Sequence, residues 1–155
     1  MHDMLVKLYD LDQHLASVKT LPTDIEVRKP LGCEVHVIAE WVRKKFFDAW
    51  VSEFEMAMAN RPITCLVAVK NKQPIGFCCY DATARGYFGP MGVDAGHRNK
   101  GLGARLTLGV LAEMRASGYG YAIIGGVGPA DFYKKVAGAV DIPGSDPGIW
   151  KTWIQ

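Results

Sequence analysis

The stretch from Met91 to Arg105 constrains this chain most: Met-Gly-Val-Asp-Ala-Gly-His-Arg-Asn-Lys-Gly-Leu-Gly-Ala-Arg. The apolar segment Tyr87 to Val93 reads as a strand, and Leu102 to Ser117 has helical spacing. Between them lies a short polar turn with His97, Arg98 and Lys100, which closes on Gly101-Leu102-Gly103. A strand that enters a helix through glycines presents free backbone N–H groups at the positive end of the helix dipole. Such a turn is an anion cradle, and the usual anion is a phosphate.

The remaining segments follow from periodicity and punctuation. Residues 4–9 alternate as a first strand, with a helical turn around 11–18 and a loop at 21–23. Asp24 to Arg28 alternates again and is ended by Pro30. From Glu34 to Asn60 apolar residues recur every three or four positions, with a break at Phe47-Asp48, where Asp48 is placed to cap a second helix. Ile63–Lys70, Ile75–Tyr80 and Tyr87–Val93 are strands joined by short turns, which implies an antiparallel meander. Gly118 closes the long helix, and Tyr121–Val127 is expected to be a strand buried on both faces. Pro129 opens a short helix carrying Phe132-Tyr133-Lys134-Lys135. The tail reads as two short strands, 139–142 and 149–154, around Pro143–Gly148.

Composition narrows the classes. A chain of 155 residues suits one domain, with 1–23 as an N-terminal extension, and at this size needs neither disulfide nor metal to fold. A net charge of +2 gives no electrostatic reason to expect nucleic-acid binding. Cys33, Cys65, Cys78 and Cys79 show no C-x-x-C spacing, and thiols in apolar strands are usually small core residues. The four histidines make no metal-ligand pattern, and no metal is expected. No apolar stretch is long enough to span a membrane and no signal peptide opens the chain, so a cytoplasmic setting is expected.

Two phosphate motifs fail on the residues that carry their chemistry. A Walker-type loop through Gly96 and Gly101 would need Lys-Ser/Thr where Leu102-Gly103 stands. A dinucleotide fingerprint through Gly101 and Gly103 would need a small residue at Leu106. Arg98-x-x-Gly101-x-Gly103 instead fits an R/Q-x-x-G-x-G/A signature, preceded by Val93 at the matching spacing. In this motif, in its order of elements from Asp24 onward, and in the Phe132-Tyr133 helix, the chain resembles the GCN5-related N-acetyltransferase superfamily. Two positions depart from that pattern: Gly126 stands where relatives often carry Asn, and Gly138 falls one residue later than their usual glycine.

The resemblance implies an α/β (α+β) fold with a mixed, mostly antiparallel central sheet flanked by helices, and acetyl-CoA as co-substrate. It implies that the pyrophosphate rests on the N–H groups of Asn99, Lys100, Gly101, Leu102, Gly103 and Ala104, with charge added by Arg98 and Lys100, while pantetheine pairs with the strand edge at Met91 to Val93. A strand N–H there would stabilise the thioester oxyanion, a contact worth about 3 kcal/mol in comparable acyl-transfer sites. Arg98 is either a phosphate ligand or a residue that fixes the loop. Tyr133 is the candidate acid for the departing thiolate, because a phenol is protonated at neutral pH. Glu53, Glu55, Asp81 and Asp94 are the carboxylates from which a base could come. Trp41, Trp50 and Phe54 either line an acceptor pocket or form core. The implied activity is transfer of an acetyl group to a primary amine of a small molecule or peptide; the alternative is a CoA-binding sensor or accessory module without catalysis. A C-terminal strand from Trp150 would suit a homodimer.

Overall fold

The computed structural model describes all 155 residues. Seven strands form one sheet: β1 (Met4–Lys7), β2 (Ile25–Arg28), β3 (Cys65–Lys70), β4 (Gln73–Tyr80), β5 (Tyr87–Val93), β6 (Tyr121–Ile124) and β7 (Val140–Asp141). The helices are α1 (Asp12–Leu15), α2 (Val35–Lys45), α3 (Asp48–Ala59), α4 (Leu102–Ala116) and α5 (Ala130–Ala137). The strand order is β2-β3-β4-β5-β6-β1-β7. Every neighbouring pair is antiparallel except β5 and β6, which run parallel. The expected mixed, mostly antiparallel sheet with its β3-β4-β5 meander is therefore present.

Each face of the sheet carries its own core, because inward residues alternate along the strands. Cys65, Val67, Phe77 and Cys79 pack under α2 and α3 with Val42, Val51 and Phe54. Leu66, Ala68, Cys78, Tyr80, Phe88 and Val93 pack under α4 and α5 with Leu106, Leu111, Met114 and Tyr133. The three strand thiols are core residues, whereas Cys33 is exposed on a 3-10 turn and lies outside both cores.

Residues 1–23 contribute more than an extension. β1 is inserted between β6 and β7, with Met4 opposite Ile124 on one side and Asp141 on the other. Met4 and Val6 are fully buried there.

Other expectations are corrected. Asp48 is the first residue of α3 and makes no capping bond; it contributes only charge in the first turn. β6 ends at Ile124 and exposes Tyr121, because Gly126 turns the chain at φ +56°. The tail forms a single short strand, β7, and then a 3-10 helix over Gly148–Thr152. Gly148, at φ +57°, starts that turn, and Trp150 packs against Gly125 and Gly126. No strand therefore begins at Trp150 to join a second copy of the chain.

Candidate functional site

β5 and β6 are paired only at Tyr87–Ile123 and Phe88–Ile124. Beyond Phe88 they part, while β5 stays paired with β4 as far as Val93. The edge of β5 from Gly89 to Val93 is thus left open on its β6 side. The Asp94 N–H donates to the Ile75 carbonyl in β4. Strand alternation then turns the N–H groups of Val93 and Met91 toward the open side.

This edge leads straight into the glycine turn. Asp94 accepts a bond from the Gly96 N–H at 3.2 Å and pairs with Lys45 at 3.1 Å. Those two contacts, the N–H first, hold its carboxyl below the usual range. Asn99 and Gly101 adopt left-handed conformations, at φ +61° and +85°. Gly101 is the N-cap of α4 and has no side chain to satisfy the first helical donors. None of the backbone bonds outside the regular elements is donated by residues 99–104. The turn is therefore a ring of unspent donors at the start of a four-turn helix. At Gly103 a Cβ would meet only ordinary contacts, Phe132 Cζ at 3.5 Å and Met91 Cε at 3.9 Å. Packing within the chain thus does not demand glycine there.

Arg98 reaches back across the turn. Its Nε donates to the Val93 carbonyl at 3.1 Å, which ties the turn back to the end of β5.

Tyr133 sits on the same side of the sheet, 6% exposed, with its ring edge-on to Phe88 at 5.7 Å. The neighbouring Phe132 ring, 5.0 Å away, backs the first turn of α4 at Gly103. Together these two residues dock α5 against both β5 and the turn. Burial, and to a smaller extent the Cys78 thiol, pushes the Tyr133 phenol well above its ordinary pKa, so it is protonated throughout the physiological range.

The four carboxylates separate cleanly. Asp94 is committed to its turn, and Asp81 accepts from the Gly86 N–H and the Tyr119 hydroxyl, both at 2.7 Å. Glu55 is exposed. Glu53 is half-buried between α3 and the β4–β5 turn, where the Thr83 hydroxyl donates to it. Burial raises its pKa, partly offset by the Thr83 bond. It is also close enough to Cys79 to help raise that thiol, behind burial and Cys65. Cys79 is where the β4–β5 register shifts, next to the last β5–β6 pair.

The aromatic residues divide too. Phe54 is fully buried core. Trp41 and Trp50 are half-buried and pack with Phe46, whose ring lies over Gly92 of β5, so close that a Cβ there would be 2.6 Å from it. Phe47 extends the cluster outward, 64% exposed and 5.4 Å from Trp50.

Sequence reasoning passed over Phe46, Thr83 and Asp3. Asp3 is buried at the point where β5 and β6 part, accepting from the Gly126 N–H at 2.9 Å and the Tyr87 hydroxyl at 3.4 Å. Nothing local to residue 3 signals a partner 123 positions away.

The site is thus a splayed parallel strand pair that opens into an uncapped glycine turn, with a buried tyrosine beside it. Residues 35–138 match the sequence profile of the Acetyltransferase (GNAT) family, and the chain belongs to that family. No curated protein matches the chain. Among solved structures, it is similar to a GCN5-related N-acetyltransferase from Sphaerobacter thermophilus, with TM-score 0.70 and 20% identity over 91% of this chain and 48% of that one. It is also similar to a GCN5-related glucosamine N-acetyltransferase region of a fungal multi-domain β-N-acetylglucosaminidase (TM-score 0.68, 14% identity, 91% and 19% covered). A GNAT family N-acetyltransferase from Escherichia coli, solved in complex with CoA, matches at TM-score 0.50 and 22% identity over 65% and 62% of the two chains. The chain thus spans a fifth to a half of the length of the first two. No helix is long and apolar enough to cross a membrane.

Proposed function

We propose that the chain is an acetyl-CoA-dependent N-acetyltransferase acting on a primary amine. One observation carries this reading: the open edge of β5 at Met91 and Val93 runs directly into the unspent donors of residues 99–104. An extended pantetheine arm pairs with such an edge, and a pyrophosphate suits such a turn. Family membership and the CoA bound by the Escherichia coli neighbour support the same assignment.

Acetyl-CoA as co-substrate supplies the acyl group as a thioester. The residues of the chain bind, orient and move protons. Residues 99–104 hold the diphosphate through main-chain donors, and Arg98 keeps the turn in place through the Val93 carbonyl. A β5 N–H polarises the thioester carbonyl. Tyr133 keeps its proton until the sulfur departs, then donates it. The burial that makes the phenol a weak acid also makes a thiolate at that site a stronger base, so the transfer is not lost to the shift. Glu53, half-buried beside Thr83, takes a proton from the bound acceptor's ammonium, and the free amine then attacks the thioester carbonyl.

The test is acetyl-CoA titration by calorimetry, followed by thiol release across a panel of monoamines, polyamines, amino sugars and peptides. Binding with acceptor-dependent thiol release is the expected result. Binding without turnover on every amine would turn the reading to a CoA-binding module, and absence of binding would overturn both.

A further inference from the structure

The connection between α2 and α3 is two residues long and consists of Phe46-Phe47, where Gly, Asn, Asp or Ser would ordinarily stand. Phe46 turns inward, its ring over Gly92 of β5 and 5.9 Å from Phe77. Phe47 turns outward, 64% exposed, and meets only the edge of Trp50 at 5.4 Å. It also holds the N-cap position of α3, in extended backbone, and makes no capping bond. Ser, Thr, Asp or Asn there would accept from the first helical N–H groups, so phenylalanine leaves the start of α3 weaker than it need be. Its exposure means that burial returns little to offset that loss. Scattered apolar side chains on a surface need no explanation, but Phe47 continues a cluster with Phe46, Trp50 and Trp41. A residue that serves neither cap nor core points to a ligand that packs on it.

Charge defines that ligand further. Glu53 follows Trp50 by one turn of α3, which sets the two side chains side by side on one flank of the helix. Glu55 lies about 200° round the helix from Glu53 and so faces elsewhere. Glu53 makes no ion pair; its carboxylate only accepts from the Thr83 hydroxyl. The cations that border the aromatic cluster are all engaged: Arg43 and Lys44 with Glu40, and Lys45 with Asp94. The surface thus offers one carboxylate to one ammonium, an aromatic wall beside it, and no free cation for a carboxylate or phosphate.

We propose that the acceptor is an arylalkyl primary amine, with its ammonium at Glu53 and its ring on Phe47 and Trp50. The proposal rests on the N-acetyltransferase reading above and narrows its amine. Neighbouring side chains one helical turn apart are separated by about 5–6 Å, a span that a two-carbon linker bridges. The ring would lie edge-on or offset against the wall, as aromatic pairs prefer. Transfer forms the amide C–N bond and breaks the thioester C–S bond. Of the two protons the ammonium loses, one leaves through Glu53; the other replaces the proton that Tyr133 gives to the departing sulfur.

Steady-state thiol release with saturating acetyl-CoA tests this, with 2-phenylethylamine, n-butylamine, spermidine and phenylalanine as acceptors. The full chain is expected to show kcat/KM for 2-phenylethylamine at least tenfold above each of the other three. Phe47→Ser should cut the preference over n-butylamine at least fivefold, through KM, while its melting temperature stays equal or rises because serine caps α3. Trp50→Leu should cut the same preference. A wild type that prefers n-butylamine, spermidine or phenylalanine, or an unchanged preference in Phe47→Ser, would overturn the aryl acceptor and leave the N-acetyltransferase reading standing. Binding of acetyl-CoA without turnover of any amine would overturn both.

Discussion

At the scale of single residues, Tyr133 and Glu53 make opposite demands on their surroundings. Tyr133 must stay protonated, which burial ensures. Tyr133→Phe keeps the ring packing against Phe88 and removes only the hydroxyl, so kcat on an established amine should fall at least tenfold while KM for acetyl-CoA hardly changes. An unchanged kcat would remove Tyr133 from the chemistry. Glu53 must lose its proton in a site that resists ionisation. Its folded pKa is raised, so folding favours the protonated form, and that contribution is lost as pH rises through the folded pKa. Glu53→Gln should therefore melt higher than the wild type at neutral pH, the gap closing as the pH is lowered into the carboxylate range. The same variant should abolish the acidic limb of the kcat/KM profile. A merely structural carboxylate would show the first effect without the second.

At the scale of elements, the β5–α4 connection makes different demands on its two glycines. Gly101 needs a left-handed conformation, so Gly101→Ala should cost about 1–2 kcal/mol of stability. Gly103 is helical, and a methyl there meets only ordinary contacts. Gly103→Ala should leave stability unchanged or raise it by about 0.5–1 kcal/mol, the ordinary gain of Ala over Gly within a helix. Acetyl-CoA affinity should change little, because that methyl would pack against Phe132 and Met91 and the signature admits Ala at this position. Denaturation midpoints and calorimetric affinities of the two variants check this; equal stability in the two would count against it. The long α4 helix was legible because its apolar spacing is local and sustained, and the meander because its turns are short. The last turn of the expected β6 was not legible. Its apolar run continues to Val127, and only the backbone reversal at Gly126 removes it from the sheet.

At the scale of the whole molecule, residues 1–7 lock the sheet at the place where it must splay. β1 fills the position between β6 and β7, and Asp3 ties the loop after β6 to Tyr87 at the start of β5. The C-terminal loop joins the same knot, since the Asp3 N–H donates to the Ser145 hydroxyl at 2.8 Å. Asp3→Ala should lower stability by about 1–3 kcal/mol by leaving the half-buried Gly126 N–H without its acceptor. Asp3→Asn, which keeps a carbonyl oxygen, should recover most of that loss. Urea denaturation of the pair tests it, and an alanine variant as stable as the wild type would show that the knot carries no weight.

The sequence alone determined the phosphate-type turn, the strand meander, the two-part helix before it and the family resemblance. Each depends on neighbours within about four residues or on a fixed spacing, and short-range sterics and hydrophobic periodicity fix those locally. The tertiary structure decided that the Arg98 Nε ties the turn to the Val93 carbonyl, that Glu53 is half-buried against Thr83, and that Phe46 rather than Phe54 faces β5. It also decided that an N-terminal segment enters the far half of the sheet and brings Asp3 to Gly126 and Lys19 to Gly101. Those contacts join residues some 80 to 120 positions apart, where chain connectivity imposes no spacing, so only the packing of the complete sheet brings them together.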